Sequence, residues 1–199
     1  MLVSREALAR RPHPRSRAAD DLVIAGLVPM STVDWPDHLT ATVFAQGCPW
    51  NCFYCHNQAL IPTRTPGAVA WEEVRALLGR RRGLLDGVVF TGGEALRQDA
   101  LADAAREVVE MGFQVGLHTA GAYPRRLRDL VASGLVSWVG LDVKALPEHY
   151  QAVVGRPGAA AKAWESLRVL LEAGIPFEVR TTVVPGDVTA DDAVEVARR

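Results

Sequence analysis

Cys48-Pro49-Trp50-Asn51-Cys52-Phe53-Tyr54-Cys55 holds every cysteine of this 199-residue chain. Its spacing, C-x3-C-x2-C, lets one short loop wrap three thiolates around a compact metal centre. A disulfide framework fits poorly, because the number is odd and cysteines this close would form only tiny, strained rings. Iron–sulfur clusters take thiolates from clustered runs of this kind, usually four of them. With three available, a [4Fe–4S] cluster keeps one iron free of protein thiolate, and an open iron can bind a substrate or cofactor. Other metal chemistry competes. Cys52-Phe53-Tyr54-Cys55-His56 matches the C-x-x-C-H pattern of c-type haem attachment, but that needs an exported protein and leaves Cys48 unexplained. Zinc held by the three cysteines and His56 would stabilise a non-enzymatic interaction module, although adjacent Cys55 and His56 are awkward partners in one tetrahedron. A redox C-x-x-C leaves Cys48 idle.

Outward from the loop, the chain reads as alternating helices and strands. Leu22–Val28 and Leu39–Gln46 have strand character, the second running into Cys48, with the turn-rich Ser31–Asp37 between them. Trp71–Arg82 reads as a helix through Val74, Leu77 and Leu78, and Val88–Phe90 as a short strand ending in Thr91-Gly92-Gly93-Glu94. A unit of amphipathic helix, glycine and strand then recurs. Leu101, Ala105 and Val108 precede Gly112 and Phe113–His118. Leu127, Leu130 and Val131 precede Gly134 and Val136–Val143, and Leu167, Leu170 and Leu171 precede Gly174 and Phe177–Val184. Each glycine stands where a helix end favours a left-handed residue. Thr189 reads as the N-cap of a last helix. The pattern predicts an α/β fold of parallel strands with crossover helices, a partial (β/α) barrel. In such sheets reactive groups collect at the C-terminal strand ends. The cysteines, Glu94, His118, Asp142 with Lys144, and Arg180 all fall there or nearby.

Residues 1–21, rich in Arg, Ala and Pro, read as a disordered basic tail, with one domain over 22–199. An apolar content of 49%, 23% charged residues and a net charge of −1 are ordinary for a soluble protein and give no global attraction to nucleic acid or an anionic membrane. No run approaches a membrane span. Unpaired cysteines suit a reducing cytoplasm. Of 22 basic residues only Lys144 and Lys162 are lysines.

The cysteine spacing followed by a strand-terminal Gly92-Gly93-Glu94 resembles the radical S-adenosylmethionine (SAM) superfamily. Ser31-Thr-Val-Asp34-Trp35-Pro36, Gly47-Cys48, Tyr54-Cys55-His56-Asn57, Leu85–Glu94, Asp142-Val143-Lys144 and Arg180-Thr-Thr-Val-Val-Pro185 resemble activating enzymes of glycyl-radical enzymes. The likeness is greatest to the anaerobic ribonucleoside-triphosphate reductase activating protein, and pyruvate formate-lyase activating enzyme shares much of the pattern. The resemblance implies a [4Fe–4S] cluster on Cys48, Cys52 and Cys55, with SAM chelating the open iron. Reductive cleavage then gives a 5′-deoxyadenosyl radical that takes hydrogen from a backbone glycine of the partner enzyme, with electrons from a donor such as flavodoxin or ferredoxin. A related enzyme acting on a small molecule or peptide is the alternative.

The same resemblance implies SAM contacts. Gly92 and Gly93 would admit the amino group near the backbone, Glu94 would accept from it, and Tyr54 would flank the adenine. Asp142 and Lys144, on one face of a strand, would meet the carboxylate or ribose, and Arg180 the carboxylate. Asp142 or Glu178 could instead satisfy Arg180 structurally. Two positions depart from the family. His118-Thr119-Ala120-Gly121 stands where relatives have Asp-Thr-Asn-Gly, so an acidic role there does not transfer and a neutral, hydrogen-bonded histidine is expected. Ala95 stands where Pro is usual. Relatives also add a closing strand, so the barrel is expected to be short at its C-terminus.

Overall fold

Strands whose side chains alternate between two apolar environments need cover on both faces, and the computed structural model shows how this chain supplies it. It describes residues 17–198. Six strands, β1 (Ile24–Ser31), β2 (Thr40–Ala45), β3 (Gly87–Gly92), β4 (Gln114–Thr119), β5 (Trp138–Asp142) and β6 (Phe177–Arg180), form one sheet in chain order. The helices are α1 (Trp71–Arg80), α2 (Leu101–Glu110), α3 (Pro124–Ala132), α4 (Tyr150–Val154), α5 (Ala159–Ala173) and α6 (Val188–Arg198). Strands β2 to β6 are parallel, as expected, but β1 runs antiparallel to β2. The connection between them is too short for a parallel crossover, which takes a dozen or more residues.

One face of the sheet carries the expected helices. Trp71, Val74, Leu77 and Leu78 of α1 are buried, as are Leu101, Ala104, Ala105 and Val108 of α2 and Leu127 and Leu130 of α3. Gly112, Gly134 and Gly174 have positive φ at or just after helix ends. Helix α5 is rotated from expectation. Leu171 is exposed, and Ala163, Ser166 and Leu170 are buried. A Cβ on Gly121 would lie 3.0 Å from Ser166 Cβ and 3.2 Å from Ala163 Cα, so small residues must face that loop. Helix α6 begins one residue before Thr189, and the Asp187 side chain accepts from Thr189 N, so Asp187 makes the cap. Of the tail expected over 1–21, residues 1–16 lie outside the described residues. Arg17–Asp21 form a 3-10 turn that buries Ala19.

The other face is lined by Trp35, Val89 and Trp138, a small apolar cluster separate from the main core. Trp35 comes from the β1–β2 connection, stacks on Trp138 at 5.5 Å and on His38 at 4.2 Å, and lies over Gly116. A Cβ on Gly116 would stand 2.7 Å from Trp35 Cε3, so glycine is required there. This closes the inner face at the N-terminal half of the strands and leaves the C-terminal ends open.

Candidate functional site

The cysteine loop leaves β2 pinned from several sides. Gly47 N donates to Leu60 O at 2.8 Å and Cys48 N to Ile61 O at 3.0 Å. On the far side Asn51 N donates to Val154 O at 3.0 Å and Phe53 N to Val153 O at 3.1 Å, so the end of α4 carries the loop. Trp50 is buried edge-on against Tyr150, with ring centres 5.8 Å apart. All three cysteines are free and partly buried. Burial pushes the Cys48 thiol up to about 12 and raises that of Cys52, while the nearby Lys144 charge opposes both. Such thiols ionise when a metal takes the place of the proton, so this donor set suits a thiolate-bound centre. Among the described residues no three His, Cys, Asp or Glu side chains gather as ligands of one ion.

Gly92-Gly93-Glu94 locks β3 against this loop. A Cβ on Gly92 would lie 2.4 Å from Ala45 N and O, and one on Gly93 2.5 Å from Gly47 O. The two glycines therefore admit the protein's own backbone where the chain leaves β3. Gly93 N donates to Ala45 O and Glu94 N to Gly47 O, each at 2.9 Å. The Glu94 carboxylate, 1% exposed, accepts from Thr119 Oγ1 at 2.9 Å, Ala120 N at 3.0 Å and Leu96 N at 3.1 Å. Burial pushes its pKa up to about 7 in spite of these donors. With about four lone-pair sites and three donors, the carboxylate retains capacity for one more hydrogen bond.

Across the mouth, Lys144 Nζ donates to Asp142 Oδ2 at 2.9 Å and stands 5.7 Å from the centre of the Tyr54 ring. Burial pulls the ammonium down, but Asp142, Tyr54 and Cys52 together outweigh it and the net shift is upward. The Tyr54 hydroxyl is buried close to Thr182 without satisfactory hydrogen-bond geometry. Arg180 lies over Trp138 at 5.3 Å and is paired with Glu178, the structural partner the sequence had offered. His118 Nε2 is 2.6 Å from Asp34 O and 3.0 Å from Arg180 Nη1. The carbonyl can only accept and the guanidinium only donate, so the position of the ring proton decides which of these two contacts is a hydrogen bond. Burial and Arg180 lower the His118 pKa and keep the ring neutral.

Several supporting residues escaped the sequence reading. Gln98 Nε2 donates to Val23 O and Gln46 O, and its Oε1 accepts from Val23 N, bracing β1 against the cysteine loop. Tyr150 is fully buried and its hydroxyl accepts from Lys144 N at 3.3 Å. Helix α4 spans only five residues, too few to display a period. Thr119, adjacent to His118, has its hydroxyl 2.9 Å from both Glu94 oxygens. Arg97 packs over Gly47 with its Nε buried and unpartnered.

Comparison with known proteins agrees with this geometry. The family model described as the radical SAM superfamily matches residues 42–199. A protein of Methanocaldococcus jannaschii named as a glycyl-radical enzyme activating enzyme is 28% identical over 184 residues, covering 88% of this chain and 74% of the relative. A pyruvate formate-lyase-activating enzyme of Clostridium pasteurianum is 29% identical over 85% of this chain and 71% of its own. The solved structure of TYW1 with a lysine-pyruvate adduct superposes with a TM-score of 0.52 at 15% identity, over 74% of this chain and 56% of that one. That likeness concerns the fold.

Proposed function

This chain belongs to the radical SAM superfamily, and we propose that it is an activating enzyme that installs a glycyl radical on anaerobic ribonucleoside-triphosphate reductase. The family uses a [4Fe–4S] cluster and SAM. The observation carrying the reading is convergence: three free thiols, Glu94, the Asp142–Lys144 pair and Arg180 all occupy C-terminal strand ends above a floor closed by Trp35. The relatives named as activating enzymes support a glycyl-radical enzyme as substrate. The choice of the reductase rests on the motifs at Ser31–Pro36, Asp142–Lys144 and Arg180–Pro185.

When bound, the cluster and SAM supply one-electron cleavage of the sulfonium and a 5′-deoxyadenosyl radical able to take hydrogen from glycine. The chain's own residues bind and orient. Cys48, Cys52 and Cys55 hold the cluster, and Lys144 supports the thiolate form of Cys52. Ionised Glu94 uses its spare acceptor capacity on the SAM amino group, and Gly92 and Gly93 keep the strand end low enough for that approach. Tyr54 flanks the adenine. Lys144 and Asp142 meet the carboxylate or ribose, and Arg180 exchanges Glu178 for the carboxylate. A reductant such as flavodoxin or ferredoxin, in the cytoplasm, completes the scheme. Among the described residues no helix is long and apolar enough to cross a membrane.

The test is anaerobic reconstitution, expected to load about four irons and four sulfides, followed by incubation with SAM, reductant and purified reductase. A glycyl-radical signal on the reductase by electron paramagnetic resonance, with matching 5′-deoxyadenosine, is expected. A signal on pyruvate formate-lyase alone redirects the target. SAM cleavage without a protein radical favours a small-molecule or peptide substrate, and stoichiometric zinc without iron uptake removes the cluster.

A further inference from the structure

Arg97, in the 3-10 turn that follows Glu94, is a cation without a counter-charge. Its Nε is buried and meets no acceptor among the described residues, and its Nη2 reaches Gln46 O only at 3.4 Å. No ion pair among the described residues includes it. Leaving a buried donor without an acceptor is costly, so such a group calls for a partner. Its position indicates which. A Cβ on Gly47 would stand 2.5 Å from Nε, 2.8 Å from Nη2 and 2.9 Å from Cζ, so only glycine admits the guanidinium there. Gly47 immediately precedes Cys48. Burial raises the Tyr123 pKa, Glu94 and Cys48 add to the rise, and Arg97 and Arg126 oppose it. One phenol therefore borders both the guanidinium and the first thiol. The cations nearby are already paired, Arg126 with Asp99 and Lys144 with Asp142.

We propose that Arg97 is the counter-cation of the cluster held by Cys48, Cys52 and Cys55, donating Nε–H to a sulfur on the Cys48 side; the proposal rests on the cluster reading above. Three thiolates make the bound cluster an anion, and reduction adds one more negative charge. A fixed cation and a hydrogen bond to sulfur favour the reduced form and raise its potential. Arginine suits a part-buried place because its guanidinium is weakly hydrated and holds its donors in a rigid fork. A carboxylate of SAM is the competing anion, but a contact with it would leave the potential of the SAM-free cluster untouched.

The experiment uses the full chain, reconstituted anaerobically without SAM, as wild type, Arg97→Gln and Arg97→Lys. Iron is counted first. A wild type that loads none fails the cluster reading itself, whereas a loaded cluster with an unchanged potential fails only this proposal. Reductive titration followed by electron paramagnetic resonance gives the midpoint potential. At a fixed solution potential, Arg97→Gln should hold about tenfold less reduced cluster relative to oxidised, a fall of about 59 mV for one electron. Arg97→Lys, which keeps the charge, should recover most of that. In wild type carrying ¹⁵N-labelled arginine, the reduced cluster should show ¹⁵N coupling by pulsed resonance, and Arg97→Lys should lose it. This readout needs no cluster in Arg97→Gln, so poor loading of that variant does not stop the test. Equal potentials in all three proteins, or no ¹⁵N coupling in wild type, overturn the proposal. Equal potentials with a lower melting temperature of metal-free Arg97→Gln assign the arginine to packing over Gly47. Equal potentials with weaker SAM binding assign it to the carboxylate.

Discussion

At the end of β3, Glu94 is sealed from solvent and held by one hydroxyl and two backbone N–H groups; at the end of β5, Asp142 is 40% exposed and held by Lys144. The β3–β4 side of the mouth is thus tied into the backbone of three neighbouring segments, through glycines that tolerate no side chain. The β5–β6 side holds its charges in pairs, Lys144 with Asp142 and Arg180 with Glu178. Asp142, Glu178 and Arg180 are partly open to water even though Lys144 is buried, so these pairs exchange partners at lower cost than a buried carboxylate with three donors. The first side is therefore scaffold as well as site, and the second is where an incoming ligand can displace existing contacts.

The comparison breaks most readily at Glu94. Glu94→Ala leaves the Thr119 hydroxyl and the Ala120 and Leu96 N–H groups without their acceptor, and should destabilise the ligand-free protein by about 3 kcal/mol or more. Denaturant unfolding measures this directly. A stable Glu94→Ala protein would mean the carboxylate is not part of the scaffold. On the opposite side, Lys144→Met should cost only about 1 kcal/mol, because Met still covers Tyr54 and Asp142 remains partly solvated. Its SAM affinity should nevertheless fall roughly 10- to 150-fold, the loss of one charge-assisted hydrogen bond. Lys144→Arg should also bind less well, since a planar fork does not replace a compact ammonium. A large melting loss with normal SAM cleavage by the folded fraction would move Lys144 into the scaffold.

The raised pKa of Glu94 sharpens the same contrast through pH. Its folded value of about 7 lies above the ordinary carboxylate value of 4.5. The folded state therefore binds this proton more tightly than the unfolded chain does. Its stabilising contribution is complete below pH 4.5 and is lost as pH rises through about 7. SAM binding runs the other way, because its amino group is best met by ionised Glu94. Affinity should rise between about pH 6 and pH 8, and Glu94→Gln should flatten both profiles. A wild-type affinity that is flat over this range would remove Glu94 from the SAM contacts.

How much of this was legible depended on the range of the interaction. Amphipathic periods and helix-ending glycines are local, so α1, α2 and α3 and the parallel order could be read directly. The C-x3-C-x2-C run was equally plain. Trp35 looked like part of a turn because its role as a floor depends on Gly116, far along the chain. Gly92 and Gly93 carried the right motif, but their need for close approach to Ala45 and Gly47 is a property of packed backbones. The orientation of α5 was misjudged because its leucines outweigh Ala163 and Ser166 in apolarity, whereas Gly121 leaves room only for the smaller side chains. Strand alternation put Lys144 and Asp142 on one face, but Lys144 lies just past β5 and its ion pair with Asp142 became visible only in the fold.

The smallest expected effect lies beyond the mouth, where α6 is tied to the loop after β5. Asp192 of α6 is buried, accepts from Leu146 N at 2.8 Å and lies 2.9 Å from His149 Nδ1. The hydrogen bond to Asp192 raises the His149 pKa above its ordinary value. A histidine raised in the folded state contributes stability that is complete below its unfolded pKa of about 6.5 and is lost as pH climbs through the higher folded value. Because the imidazole is open to water, the effect should be slight. Wild type should therefore lose a little stability from about pH 6.5 upward relative to His149→Gln, with SAM affinity alike in the two proteins at each pH. Parallel unfolding curves at pH 6, 7 and 8 would show instead that Asp192 is held by the Leu146 amide alone. A matching change in SAM affinity would extend the ligand-responsive side of the mouth as far as α6.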